Sequence, residues 1–368
     1  MNTKWFVGLV VVLIAVGGIW YFAQKPNSEN SGNLKIGVLV PLTQTSASYG
    51  EDVRAGVELA QKQYGKNSIE VIYEDSKCDV KAATDAAIKL VTIDHVQAII
   101  GDVCWTEIVA KITEPAKVLV MSTGSAQSEV RDAGDYVFRL KLDSSVDSKA
   151  LADKLYKDFG ARKISLLHVN DNWGTGIAVN FRAQFEKLGG QIVTADAFKQ
   201  TDNDFRTYLS KIKSVAPDYI MMTGYPGQAG LIAKQARELG VSAKLAAYRG
   251  GIGDETINLG GSAAEGLIFL DEFNDVSPTD ATKSFTQAFK DANHRSPGLF
   301  AVMGYDAFNL YAAGLTKCGV NTECIKNYFY NLKNYQGAEG VISFDDHGDV
   351  LKNLVLKTIK GGQFVKAE

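Results

Sequence analysis

The sequence predicts an α/β protein of two doubly wound units, each built on an open parallel sheet. From Leu34 onward, short apolar runs rich in β-branched residues alternate with stretches of helical spacing. That alternation occurs twice, over 34–139 and again over 163–270. The 368 residues also exceed what one hydrophobic core holds, roughly 250–300 residues. Repeated β–α–β units give doubly wound sheets with right-handed crossovers. Two such sheets in one chain leave a cleft between them, and open α/β sheets bind ligands beyond the C-terminal ends of their strands.

The strand candidates, in chain order, are 34–40, 69–73, 98–100, 118–121, 163–169, 191–195, 219–222, 244–247 and 267–270, with 341–344 and 353–359 closing the chain. They are apolar on both faces, as strands covered by helices on each side of a parallel sheet must be. Val53, Val57, Ala60 and Tyr64 recur at helical spacing and predict a helix over 51–64. Ile177, Phe181, Phe185 and Leu188 do the same for 176–188, and Phe205, Tyr208, Leu209 and Ile212 for 204–215. Glycines at 189, 190 and 240 follow two of the helices, where a left-handed residue ends the last turn. The tail, 280–368, adds two or three helices and then strands.

Composition narrows the function. With 46% hydrophobic and 22% charged residues, a mainly disordered chain is excluded. Lys plus Arg is 39 against 42 for Asp plus Glu, a net charge of −3. With no basic run, nucleic acid is not an expected partner. His95, His168, His294 and His347 are scattered, none at a metal-ligand spacing from another. There is no G-x-S-x-G elbow, no P-loop, and no G-x-G-x-x-G after the first strand. The chain is therefore expected to be no enzyme and to carry no metal or cofactor.

Residues 1–32 stand apart from the fold. The run 5–23 is apolar and uncharged, preceded by Lys4, with Trp5, Trp20 and Tyr21 at its ends. At 1.5 Å per residue it is long enough to cross a hydrocarbon core of about 30 Å, and aromatic ends suit the membrane interface. The expectation is a retained N-terminal transmembrane helix, a signal anchor. A cleaved signal helix is the alternative, disfavoured because bulky Tyr21 would lie two residues upstream of a cut after Ala23. Either reading exports the remainder to the periplasm or cell surface. Residues 24–33 read as a polar linker. Four cysteines allow three pairings. The economical one joins Cys78 to Cys104 and Cys318 to Cys324, structural disulfides consistent with export, with reduced buried thiols as the alternative.

The segment IGVLVPLTQTSASYGEDVRAGVELA (36–60) resembles the opening of the leucine/isoleucine/valine-binding family of periplasmic substrate-binding proteins. So, in the same order, do YEDSKCDVKAA (73–83), AIIGDVCWTE (98–107), VMSTGSA (120–126), NDNWGTGIA (170–178), the stretch 204–230, AAEGLIF (263–269) and FDDHGDV (344–350). The resemblance covers roughly 34–360. It implies the type 1 periplasmic binding protein fold: two Rossmann-like lobes joined by three crossover strands, near 141–147, 270–276 and 340–346. Lobe 1 would be 34–142 plus 273–340, and lobe 2 would be 143–272 plus 341–368. Cys78 and Cys104 match the disulfide of amino-acid-binding members.

The resemblance also implies the site. Tyr49, Trp173 and Tyr225 stand where the family places aromatics against its ligand. Trp105 and Thr106 open a helix whose free N–H groups favour an anion, with Trp105 where amino-acid binders have a small hydroxyl residue. Gly124, Ser125 and Ala126 match the loop that grips the α-amino-acid head group, with Ala126 where Thr is usual. Arg249 is the main departure, since an acid that pairs with the ligand ammonium is expected there. Guanidinium suits a carboxylate, so a ligand bearing a carboxylate and some apolar surface is expected, with Leu, Ile and Val bound poorly. Asp102, Asp254 or Glu255 would take the ammonium otherwise, and Arg249 would then form an ion pair within its lobe. The implied function is capture of a small polar ligand, an amino acid or small carboxylate, for an ABC permease. The alternative is a ligand-sensing receptor ectodomain or co-receptor of the same fold.

Overall fold

A computed structural model describes residues 33–367 except Thr45 and Lys66. The apolar run 5–23 lies outside them. Among the described residues no helix is long and apolar enough to cross a membrane.

Strands β1 (Leu34–Val40), β2 (Ile69–Asp75), β3 (Ala98–Gly101), β4 (Leu119–Ser122) and β5 (Val137–Arg139) form a parallel sheet of order β2-β1-β3-β4-β5. The second half repeats this. Strands β6 (Lys163–Val169), β7 (Gln191–Phe198), β8 (Tyr219–Thr223), β9 (Lys244–Ala247) and β10 (Ile268–Asp271) run parallel in the order β7-β6-β8-β9-β10. The hairpin β11 (Tyr335–Gln336) and β12 (Val341–Ile342) stands alone. Strands β13 (Val355–Lys360) and β14 (Gln363–Lys366) extend the second sheet past β10, both antiparallel. Chain order therefore reverses at β1/β3 and at β6/β8, the two switch points where an open sheet opens a crevice.

Helices cover both faces of each sheet, and the strand sequences show why. Ile36, Val38 and Val40 of β1 enter one core while Leu39 enters the other, and β3 divides Ala98 and Ile100 from Ile99 in the same way. The first core is closed by α1 (Ala47–Tyr64), with α9 (Asp280–Asn293), α10 (Leu299–Cys318) and α11 (Thr322–Tyr330) from the C-terminal third. The opposite face carries α2 (Val80–Thr92) and α3 (Thr106–Thr113). Helices α4 (Ser144–Lys157) and α5 (Asn172–Lys187) cover one face of the second sheet, and α6 (Arg206–Val215) and α7 (Pro226–Glu238) the other. A short α8 (Asp254–Gly260) follows β9. The edge strands β2 and β7 are partly exposed rather than buried on both faces. Ile342, Phe344 and Val350 still pack in the first core, so the chain leaves it beyond residue 340.

Three connections join the two halves: β5 to α4, β10 to α9, and β12 to β13. Each contributes to one buried charge network. Lys141 pairs with Glu272 and, at 3.2 Å, with Asp147; Lys352 reaches Glu272 at 3.1 Å and Glu339 at 3.0 Å. Glu272 also accepts the Leu142 N–H at 2.8 Å. Charges removed from water are tolerated when paired and hydrogen-bonded in this way.

Candidate functional site

The C-terminal ends of both sheets face one cavity of about 450 Å³. From the first sheet come Ser46 and Tyr49 after β1, Cys78 after β2, Val103 to Trp105 after β3, and Gly124, Ala126 and Gln127 after β4. From the second come Asp171 to Trp173 after β6, Gln200, Tyr225 after β8 and Gly250 after β9, with Lys141 from the first connection and Phe300 from α10.

Aromatic rings run across the cleft in sequence. The centroid of Phe300 is 4.6 Å from that of Tyr49, Tyr49 is 6.5 Å from Tyr225, Tyr225 is 5.8 Å from Trp173, and Trp173 is 5.8 Å from Tyr248. The Tyr49 hydroxyl donates to the Gly250 carbonyl at 3.0 Å, a hydrogen bond from one half to the other. Glycine is needed at 250 because a Cβ there would stand 2.7 Å from Trp173 Cζ2.

The Cys78–Cys104 disulfide, with Cα atoms 5.5 Å apart, forms part of the wall. The Cys78 carbonyl accepts the Trp105 indole N–H at 2.9 Å, and the Cys104 carbonyl accepts Gln127 Nε2 at 3.0 Å. Gln127 Oε1 in turn takes the Ser125 hydroxyl at 2.8 Å. The second disulfide, Cys318–Cys324, links the end of α10 to α11. Beneath the 124–127 loop lies Arg139, whose guanidinium donates to the carbonyls of Ser125 (3.5 Å) and Gln127 (2.7 Å) and pairs with Asp143 and Asp349. Across a trans peptide the N–H points opposite the carbonyl, so the Ala126 N–H turns away from Arg139. This N–H and the first N–H groups of α3, beside Trp105, are donors suited to an anion.

Of the residues expected at the site, Tyr49, Trp105, Gly124, Ala126, Trp173 and Tyr225 line this cavity. Thr106 and Ser125 do not. Thr106 is fully buried, its hydroxyl on the Asp102 carbonyl (2.9 Å) and against Ser122 Oγ (2.7 Å). Ser125 is buried behind the loop. Arg249 is also off the lining. Its Nε stands 2.8 Å from Asp271 Oδ2, an ion pair not aligned as a hydrogen bond, and its guanidinium donates to the Ile252 carbonyl. Burial alone would raise the Asp271 carboxyl, but Arg249 and Lys357 hold it down at about 2. Attraction to a buried acid thus draws Arg249 away from where a ligand carboxylate was expected to meet it. The substitutes for the missing acid stand elsewhere too. Asp254 and Glu255 are exposed in the first turn of α8. Asp102 is fully buried off the lining, bound to Ser76 and to the Cys104 N–H, its carboxyl pushed up by burial to about 6.

Sequence reasoning missed Asp171, Lys141, Gln127 and Phe300. Asp171 carried a signal, since Asp before N-W-G-T-G caps a helix; its carboxylate accepts the Gly174 N–H at 2.7 Å. Phe300 carried none, because α10 reaches the cleft only through tertiary packing.

Two open sheets of matching strand order, three connections and one cavity between them define a bilobal α/β binding protein. The chain belongs to the periplasmic binding protein family, whose model matches residues 33–363. It is 29% identical over 342 residues to the leucine-, isoleucine-, valine-, threonine- and alanine-binding protein of Pseudomonas aeruginosa, covering 89% of each chain. Among solved structures, a leucine-binding protein from Thermotoga maritima superposes with a TM-score of 0.84 at 28% identity, over 91% of this chain and 98% of that one. A branched-chain amino acid transporter substrate-binding protein from Streptococcus pneumoniae, in complex with isoleucine, gives 0.85 at 26%, over 91% and 99%. The family is one of extracytoplasmic solute-binding proteins.

Proposed function

We propose that this protein captures a small polar solute, an amino acid or small carboxylate, between two lobes and hands it to an ABC permease, with no chemistry on the solute. The observation that carries the reading is the cavity of about 450 Å³ lined from both sheets, large enough for a small ligand. The relatives point the same way, since those named above bind branched-chain and other small amino acids. Closure would bring Tyr49, Trp105, Gly124 and Ala126 of lobe 1 against Trp173 and Tyr225 of lobe 2. The free N–H groups of α3 and Ala126 would meet the solute's carboxylate. Thr106, Ser125 and Arg249 would support these groups from behind. Lobe 1 would comprise 34–142 and 273–340, extended by the first-core residues up to Val350, and lobe 2 the remainder of 143–368. Residues 5–23 would hold the protein at the membrane beside its permease.

The test is direct. Protein purified under native conditions is unfolded, and the released small molecules are identified by mass spectrometry. One polar solute at about one equivalent is expected. If none is released, and no amino acid or carboxylate raises the melting temperature, solute capture is wrong. Membrane fractionation with N-terminal sequencing tests the anchor: a mature chain starting between residues 18 and 33 would rule it out.

A further inference from the structure

The charges around the cavity do not balance in the way the sequence suggests. Three side chains that are charged at neutral pH line it: Lys77, Lys141 and Asp171. Lys77 is exposed. The three N–H groups of Lys141 are matched by Glu272, Asp147 at 3.2 Å and the Tyr248 hydroxyl at 3.3 Å. Its charge is thereby met by two carboxylates. Asp171 is different. It accepts the Gly174 N–H at 2.7 Å and, more weakly, the Tyr225 hydroxyl at 3.4 Å. Among the described residues no Lys, Arg or His nitrogen lies within ion-pair distance of it, although the rings of Trp173 and Tyr225 stand beside it on the lining.

We propose that Asp171 is the counter-ion of the ligand, which carries a cationic nitrogen held between this carboxylate and the faces of Trp173 and Tyr225. The inference rests on the solute-binding reading and sharpens it. The role expected of an acid after β9 passes to Asp171, the last residue of the loop after β6 and the N-cap of α5. Arg249, on Asp271, does not oppose it. A carboxylate partly removed from water with no ion pair carries a cost. Burial raises the Asp171 carboxyl, while the Gly174 N–H, the Tyr225 hydroxyl and the more distant charge of His168 act against the shift without closing an ion pair on it. A ligand ammonium removes that cost through a charge-assisted contact. Electron-rich ring faces favour the same charge. The α3 and Ala126 donors across the cavity would take a carboxylate on the same ligand, so a zwitterion fits both ends.

Calorimetry on the wild-type protein with matched pairs tests this: L-leucine against 4-methylpentanoate, L-phenylalanine against 3-phenylpropanoate, and the N-trimethyl betaine of each amino acid. The amine of at least one pair should bind, and its deaminated partner should bind at least about 30-fold more weakly. Binding of the betaine as well would identify ring faces as the main contact, and binding of the primary amine alone would identify the carboxylate. Asp171→Asn should lose about 30-fold or more for that amine while melting near wild type, because Asn caps a helix as well as Asp does. Asp171→Ser, which also caps, serves if the Asn variant does not fold. A deaminated acid bound as tightly as its parent, or an amine bound equally by Asp171→Asn, overturns the role of Asp171 and leaves solute capture standing. Failure of every amine to bind the wild type also overturns it.

Discussion

Arg139 is buried to 1% of its side chain and holds three parts of the molecule at once: the carbonyls of the 124–127 loop, Asp143 at the start of α4, and Asp349 near the third connection. Removing the cation leaves buried Asp143 without its ion pair and Asp349 with Arg131 alone. Arg139→Met is therefore expected to cost about 3–5 kcal/mol of stability, read from chemical denaturation; a cost within about 0.5 kcal/mol would show that the network is not needed. Asp306 behaves in the opposite sense. Burial, helped by the charge of Glu339, pushes its carboxyl up to about 8, against the N–H groups of Glu339 and Ala338. The unfolded chain would release that proton near the ordinary Asp value of about 3.9. Between these values the folded state binds the extra proton, so this group lowers stability as pH rises through that window and adds no further change above it. Melting temperatures from pH 5 to 9 should fall in the wild type relative to Asp306→Asn; parallel curves would contradict the raised value. Single residues were also where the sequence was hardest to read. The chemistry of Arg249 was legible but its partner was not, because Asp271 lies on β10 and meets Arg249 only through the fold.

The Cys78–Cys104 disulfide belongs to the scale of elements, since it clips the loop after β2 to the loop before α3. Its half-cystines span a sequence separation of 26, so in the chain-entropy model it restricts the unfolded state by about 3–4 kcal/mol. Its carbonyls also hold Trp105 and Gln127. The Cys78→Ser/Cys104→Ser double variant should lower the melting temperature and also weaken ligand binding. Unchanged affinity with a lowered melting temperature would limit the bridge to stability. At this scale the sequence was most informative. Alternation of β-branched runs with helical spacing located β1, β6 and the core of α1, because strand and helix burial have different periods. Helices α1 and α5 begin at Ala47 and Asn172, ahead of the apolar stripes that start at Val53 and Ile177. Strand β5 escaped notice, being three residues long.

For the whole molecule, capture depends on two halves enclosing one cavity, and the Tyr49–Gly250 hydrogen bond joins them across it. A neutral hydrogen bond is worth about 0.5–1.5 kcal/mol net. Tyr49→Phe, which keeps the ring against Phe300 and Tyr225, should therefore weaken solute affinity about 2- to 10-fold. An unchanged calorimetric affinity would place that contact outside the binding equilibrium. The two-unit plan was legible because it repeats in the sequence, whereas the cavity's chemistry was not, since it is assembled from segments as distant as Tyr49, Asp171 and Phe300. The most direct measurement is a crystal structure of the protein purified under native conditions with its own solute. The account predicts density in the cavity touching Trp105 or Ala126 on one side and Asp171 or Trp173 on the other. A solute bound elsewhere, with that cavity holding only water, would contradict it.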